Sequence, residues 1–212
     1  MGVIVKKAAV RNLIIVMLLL LTFLAGAAGY ASLQYNFAKN NLDLWVKSGK
    51  VTSQKSYLSS KKAIISANFW HSNNPVYLES QASILVWGVY AEFEDESLYQ
   101  QALDLYWQSL QLRPMWPWAW SEWVMTKWRL KQYDEAMLNG LMKLSQYGPY
   151  TGEVHITVVD AGLQLMRKRP EFAGQIKPVV KRHYLRSRKN GHVRKQVKAA
   201  VESHENGAWL LE

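Results

Sequence analysis

Residues able to do chemistry are few in this chain and widely spaced. The sequence contains no cysteine, which excludes disulfides, thiolate metal sites and a cysteine nucleophile. Neither a glycine-rich phosphate loop nor a nucleophile elbow is present, and no two histidines have metal-ligand spacing. We therefore expect no bound metal and no cofactor. The histidines are His71, His155, His183, His192 and His204.

The acidic residues form no evident catalytic pair. Glu92, Glu94, Asp95 and Glu96 fall in one charged turn, where solvation is more common than acid–base work. Asp160 stands alone in an otherwise apolar segment, which is more typical of a satisfied structural residue than of a catalytic acid. The sequence predicts no catalytic residue and a protein that is not an enzyme.

Positive charge is concentrated near the C-terminus. Residues 167–198 hold twelve lysines or arginines and the single acid Glu171, in a chain of formal net charge +10. Such a run predicts a polyanion-binding face, with anionic lipid or an acidic polysaccharide as the ligand. The alternative is the solvated back of two amphipathic helices. The predicted contact residues are Arg167, Lys168, Arg169, Lys181, Arg182, Arg186, Arg188 and Lys189.

A long apolar segment near the N-terminus sets the expected location. Residues 13–31 read LIIVMLLLLTFLAGAAGYA, and nineteen helical residues span about 28 Å, close to one bilayer core. Lys6, Lys7 and Arg11 precede this segment without an acid. The chain is therefore predicted to be a single-pass protein of a bacterial inner membrane, with a cytoplasmic N-terminus and a periplasmic remainder.

A cleaved signal peptide is the alternative reading of the same segment, with candidate cleavage sites after Ala27 and Ala31. The apolar stretch continues past both sites, which favours an uncleaved anchor. Export of the remaining chain in either case argues against nucleic acid as the physiological anion.

A 34-residue spacing recurs in the middle of the chain. It separates Tyr99 from Tyr133 and Ala102 from Ala136, and a proline or glycine follows each alanine after 12 residues. Small residues early in a helix and helix breakers after it are typical of repeated helical hairpins. The two alanines are predicted to lie at close helix crossings. The predicted hairpin helices cover 54–72, 76–94, 98–112, 117–131 and 133–147, and another helix covers 152–167.

Half of the tryptophans lie in the stretch LRPMWPWAWSEWVMTKWRLKQYDEA. At 100° per residue, Trp120 and Trp123 fall on the side that a hairpin must bury, which predicts that both indoles belong to the core. Trp118 falls on the opposite side with Met125 and Arg129. That side is predicted to be exposed and available to a partner; the alternative is that an adjacent helix or the anchor covers Trp118.

The repeats resemble the tetratricopeptide family over residues 60–150. They depart from it at Tyr90 and Val124, where that family usually has glycine, and at Gly140, where it has an aromatic residue. The resemblance implies a groove, lined by the first helix of each repeat, that holds a protein segment. The groove residues it implies are Trp87, Trp118, Met125, Trp128 and Arg129.

The whole layout resembles the VpsP family found in exopolysaccharide biosynthesis loci. The resemblance rests on a short tail, one anchor and hairpins containing LQLRPMWPWAW and GPYTGEVHITVVDAGL. It implies a scaffold for exopolysaccharide biosynthesis or export, with protein components of an inner-membrane polysaccharide machine as partners. A general cell-envelope assembly factor or periplasmic chaperone is the alternative. A glycan-acting enzyme is a third hypothesis, which requires two converging carboxylates.

The expected fold is all-α, with one N-terminal transmembrane helix followed by tetratricopeptide-like hairpins. Near the C-terminus two apolar stripes predict two further helices, one marked by Ile176, Val179, Val180 and Tyr184 and the other by Val193, Val197 and Val201. The expected segments are a cytoplasmic tail (1–11), the anchor (12–33), a linking helix (34–53), the hairpins (54–150), basic helices (151–205) and a tail (206–212).

Overall fold

A computed structural model describes residues 2–211 of the chain and the side chains of residues 10–211, so the Lys6 and Lys7 side chains lie outside the described part. All regular secondary structure in that range is helical, which confirms the all-α prediction. The described α-helices are α1 (Gly2–Ser48), α2 (Gln54–Trp70), α3 (Pro75–Tyr90), α4 (Leu98–Leu112), α5 (Pro117–Arg129), α6 (Glu135–Tyr147), α7 (Gly152–Lys168), α8 (Ala173–Ser187) and α9 (Arg194–Ser203). Two 3-10 turns cover Pro170–Phe172 and Glu205–Leu210.

The helix α1 combines the predicted anchor and linking helix in one element. The residues described up to position 30 have exposed side chains, apart from a half-buried Ala27, whereas Ala31, Ala38 and Trp45 are fully buried. Gly49 ends the helix with a φ of +69°, in the left-handed region that glycine adopts without strain. Within residues 2–211, α1 is the one helix long and apolar enough to cross a membrane.

The chain divides into two compact units, and the first covers Met1–Ile84. In it, α2 packs along α1 from Trp45 back to Phe23, so its last turn lies beside the apolar segment. Ser53 caps the start of α2 by accepting a hydrogen bond from the Ser56 N–H. The ring of Trp45 lies 6.4 Å from that of Tyr57, so the fully buried face of α1 meets the start of α2.

The second unit, Leu85–Glu212, is built around α7. This helix packs against α5, α6, α8 and α9, and most of its side chains are buried. Because its neighbours surround it, small residues are needed where they come closest. A Cβ added to Gly162 would lie 2.5 Å from a methyl carbon of Val180. The stripes predicted for α8 and α9 are buried, as expected.

Two helices that begin hairpins end in the same way. Glu92 follows α3 with a φ of 59°, and Lys131 follows α5 with a φ of 57°. In each case the next N–H reaches back five residues, from Phe93 to the Gly88 carbonyl (2.9 Å) and from Gln132 to the Lys127 carbonyl (3.0 Å). This is the Schellman pattern, and it ends α3 at Tyr90 rather than at the predicted residue 94.

The close helix crossings follow the predicted repeat only in part. Ala102 is fully buried, as expected, but the prediction for Ala136 is wrong because this residue is exposed. Ala136 lies in the first turn of α6, and the close approach to α5 occurs one turn later, at Gly140. A Cβ on Gly140 would lie 2.7 Å from Trp123 Cζ3 and 3.0 Å from Val124 Cγ2. The Trp123 indole fills the space that a larger residue at position 140 would need.

Candidate interaction surface

Two of the tryptophans in the α4–α5 hairpin are core residues, as predicted. Trp120 and Trp123 are 9 % and 7 % exposed, and with Trp107 their rings form a cluster with centroid distances of 5.8 to 6.2 Å. The Trp120 indole N–H donates to the Pro114 carbonyl at 2.8 Å, so the buried ring has a partner for its one polar group. This cluster holds α4 and α5 together beside the turn that joins them.

The turn and the helix ends beside it carry apolar side chains that the protein does not bury. We call Leu112, Met115, Trp116 and Trp118 the aromatic tip; they are between 41 and 70 % exposed. The guanidinium of Arg113 stacks over the Trp116 ring at 4.5 Å. The Trp118 ring meets Tyr106 edge-on at 6.4 Å and remains 41 % exposed.

The sequence analysis gave no role to Leu112, Met115 or Trp116. The signal for them is the pair of prolines at positions 114 and 117, because proline ends α4 and begins α5. Met115 and Trp116 lie between these prolines and belong to neither helix, so a core stripe cannot absorb their side chains. Leu112 is the last residue of α4, and the prolines give no signal for it.

The five predicted groove residues differ in exposure. Trp118 and Arg129 are exposed, whereas Trp87, Met125 and Trp128 are half-buried. The Trp87 ring packs on Tyr90, at a centroid distance of 5.5 Å. The Trp128 ring lies 6.2 Å from that of His204, so the C-terminal segment covers part of this indole.

Arg129 interacts electrostatically with two ionisable side chains, those of Glu122 and Tyr99. Burial raises the pKa of the Glu122 carboxyl, and the positive charge of Arg129 opposes this shift. Burial also raises the pKa of the Tyr99 phenol, again against the effect of Arg129. An exposed guanidinium beside a carboxyl and a phenol is suited to binding polar groups of a partner.

The predicted polyanion contacts separate into structural and exposed groups. Arg169 donates to the Tyr133 carbonyl at 2.8 Å and pairs with Glu171, and Arg186 donates to the Pro149 carbonyl at 2.9 Å. Both arginines therefore hold loops in place. Arg167 is exposed but donates to the Gln164 side chain at 2.7 Å. The exposed remainder is Lys168, Lys181, Arg182, Arg188 and Lys189.

A buried polar chain joins three helices of the second unit. His155 on α7 and His183 on α8 share a hydrogen bond between their Nδ1 atoms at 2.8 Å, and His183 Nε2 lies 2.9 Å from the Ser145 hydroxyl on α6. Burial, helped by the positive charge of Arg186, lowers the pKa of His155. Burial, His155 and nearby arginines lower the pKa of His183 to about 3. Both rings are neutral at neutral pH, so one Nδ1 donates and the other accepts.

This pair was not predicted, because 28 residues separate its members. Proximity between α7 and α8 alone creates it, and no local spacing signals it. Among the side chains that the structure describes, no group of three or more histidines, cysteines or acids could hold a metal ion.

The C-terminal segment is docked on α7 by a polar contact. His204 Nε2 lies 2.7 Å from Asp160 Oδ1, and the Asn206 amide donates to the Leu163 carbonyl at 3.0 Å. Asp160 thus has a hydrogen-bonding partner, as expected of a satisfied structural residue. Comparison of the chain with protein-family models, curated proteins and solved structures found no match.

Proposed function

We propose that this protein is a membrane-anchored interaction protein with a cytoplasmic N-terminus, whose periplasmic helical hairpins hold a protein component of a polysaccharide assembly or export machine. The observation that carries the proposal is the exposed aromatic tip, which is supported by the ring cluster of Trp107, Trp120 and Trp123. The apolar segment of α1 supplies the anchor, since it has a mean hydropathy of 2.4 and none of it is buried within the protein.

The aromatic tip has the properties of a protein-binding hot spot. Exposed apolar clusters on otherwise well-packed proteins commonly mark interaction sites, and tryptophan and arginine are enriched among the residues that dominate binding. Arg113 is already oriented by its stack on Trp116, so little side-chain freedom is lost on binding. The indole cluster beneath the tip fixes its backbone in advance.

A protein segment is a better ligand for this surface than a sugar. A sugar needs hydrogen-bonding groups beside the stacking ring, and the tip side chains Leu112, Met115, Trp116 and Trp118 contain two indole N–H donors and no acceptor oxygen. An apolar side chain of a partner needs only the rings. Arg129 provides a charged group on the same helix as Trp118.

The resemblance to the VpsP family supports exopolysaccharide biosynthesis or export as the setting. Some ionisable side chains of the second unit take part in structural contacts. Asp160 pairs with His204, and His155 with His183, in contacts that hold helices together.

Site-specific photocrosslinking in intact membranes tests this proposal. A photoreactive amino acid replaces Met115 in the tip, and the matched control replaces the exposed Ala136 on α6. We expect the probe at position 115 to capture one discrete partner that the probe at position 136 does not. A polymerase, flippase or glycosyltransferase would support the polysaccharide setting, whereas many unrelated unfolded proteins would indicate a chaperone. Equal capture at both positions would contradict a binding tip.

A further inference from the structure

The last turn of α2 lies beside the apolar segment of α1. The Trp70 ring, on the final residue of α2, is 6.3 Å from the Phe23 ring and 6.1 Å from the Tyr30 ring. At the other end of α2, Tyr57 meets Trp45. The two helices are therefore antiparallel, and α2 runs back toward the segment that is long and apolar enough to cross a membrane.

The end of α2 has a surface unlike that of a helix in water. Phe69 is 78 % exposed and Trp70 is 42 % exposed, and their rings meet edge-on at 5.5 Å. Ile65, one turn earlier, is also exposed. No charged residue occurs from position 63 to position 78, between Lys62 and Glu79. The exposed aromatic residues Phe69 and Trp70 lie in the middle of this uncharged stretch.

The ring contacts place this surface at a definite depth. Phe23 and Tyr30 are seven residues apart, about 10 Å along the helix, and the Trp70 ring touches both. Trp70 therefore lies level with the stretch between them, a few residues before the apolar run ends at Ala31. Tryptophan side chains are enriched at this level of membranes, where the ring contacts acyl chains and the N–H contacts headgroups.

We propose that Phe69 and Trp70 form a membrane wedge, which inserts into the headgroup–acyl boundary of the leaflet facing residues 34–212. The proposal rests on the membrane anchoring proposed above, and it adds a second lipid contact beyond α1. The wedge is continuous with the exposed surface of the apolar segment, so the lipid that surrounds Phe23 also reaches Trp70. A protein partner would not require this continuity with the apolar segment.

The wedge gives α2 a fixed level relative to the bilayer. Leu58 lies eleven residues before Phe69, three turns away on the same face of α2, and is 53 % exposed. The distance between the two positions along the helix is about 16 Å. Position 69 should thus contact lipid while position 58 contacts water, although both side chains are apolar and exposed.

Spin labelling of the full chain in liposomes of phosphatidylethanolamine and phosphatidylglycerol tests the wedge. The natural sequence has no cysteine, so single variants can be labelled without removing other thiols. The variants are Phe69→Cys, the matched control Leu58→Cys and, within the apolar segment, Leu20→Cys. The measured quantity is the ratio of collisions with oxygen, which enters lipid, to collisions with a water-soluble nickel chelate.

We expect the ratio at position 69 to approach that at position 20 and to exceed that at position 58 several-fold. A label at position 69 that collides with the nickel chelate as often as the label at position 58, while position 20 is lipid-exposed, would overturn the wedge and leave the anchor intact. A label at position 69 shielded from both reagents would also overturn it, because a second copy of the chain would then cover the site. A water-exposed position 20 would contradict the anchor itself.

Discussion

Gly140 is the position where helix packing in the second unit can be tested most sharply by adding one carbon atom. A Cβ at this position would lie 2.7 Å from Trp123 Cζ3, 3.1 Å from Trp123 Cε3 and 3.0 Å from Val124 Cγ2. The Trp123 ring cannot retreat freely, because Trp107 and Trp120 pack against it. Gly140→Ala should therefore force α5 and α6 apart.

The expected loss follows from two opposing terms. Overpacking a well-packed core costs about 1–3 kcal/mol, and a ring held by two others favours the upper half of that range. Alanine regains about 1 kcal/mol of helix propensity relative to glycine. The free energy of unfolding should fall by about 1–2 kcal/mol in total. The matched control is Gly174→Ala on α8, where a Cβ has no neighbour within 4 Å and stability should stay equal or rise by up to about 1 kcal/mol.

Thermal melting followed by circular dichroism, on the full chain in detergent, measures both variants. Gly140→Ala should melt several degrees below the parent protein, and Gly174→Ala should not. If Gly140→Ala melted at or above the parent temperature, the close contact between α5 and α6 would be refuted.

Three further predictions concern charge and topology. Folding lowers the pKa of His155 and His183, so below pH 6.5 the unfolded chain binds more protons than the folded chain. The free energy of unfolding should therefore fall as the pH decreases from 6.5 toward 3. His183 alone should account for a loss of about 2 kcal/mol at pH 5. His183→Gln should flatten urea-unfolding stability plotted against pH over this window, and an unchanged slope would exclude His183 as its source. Arg186→Ala should lower the melting temperature, because it removes the hydrogen bond to the Pro149 carbonyl. The double variant Lys181→Glu with Arg188→Glu should keep the parental melting temperature and bind anionic liposomes more weakly. Equal melting of the two variants would contradict this division of the basic residues. A C-terminal fusion to alkaline phosphatase should be active, and the purified protein should keep its original N-terminus; a mature N-terminus just after Ala27 or Ala31 would replace the anchor with a signal peptide.

Periodicity predicted most of the fold because it reports which side of a helix is buried. The 34-residue repeat and its helix breakers, together with the apolar spacing of α7, placed α2 to α7 within a few residues of their ends, and apolar spacing identified the stripes of α8 and α9. It also separated the buried Trp120 and Trp123 from the exposed Trp118. The assignment of buried and exposed sides needs only the angle between successive residues, which is the same in every α-helix.

Spacing alone did not predict how neighbouring helices approach one another. Ala136 matches Ala102 in the repeat, but the crossing depends on the large Trp123 side chain of the facing helix, which places the close contact at Gly140. Residue spacing does not predict the contact between His155 and His183 for the same reason, since only the packing of α7 against α8 brings these two side chains together.

The candidate surfaces were predicted less completely than the core. Arg186 was predicted to be an exposed cation, but its partner is the backbone carbonyl of Pro149. Every residue type carries a backbone carbonyl, so the sequence contains no signal for this hydrogen bond. Met115 and Trp116 of the aromatic tip lie between α4 and α5, where a helical angle cannot be applied. The groove that includes Trp87 and Trp128 stays a prediction.

The central claim is that the hairpin uses some indoles for its core and presents others to a partner. Trp120→Ala removes a buried ring and its hydrogen bond to the Pro114 carbonyl, which should cost about 3–5 kcal/mol. Trp118→Ala removes a 41 % exposed ring and should leave the melting temperature nearly unchanged.

The most direct measurement is the amount of the crosslinked partner that co-purifies with the Trp118→Ala protein from detergent-solubilised membranes, alongside its melting curve. We predict a parental melting temperature with at least a tenfold loss of partner, which corresponds to about 1.4 kcal/mol of binding free energy. Parental melting with undiminished partner would contradict the binding role of the aromatic tip, and melting as low as that of Trp120→Ala would assign Trp118 to the core.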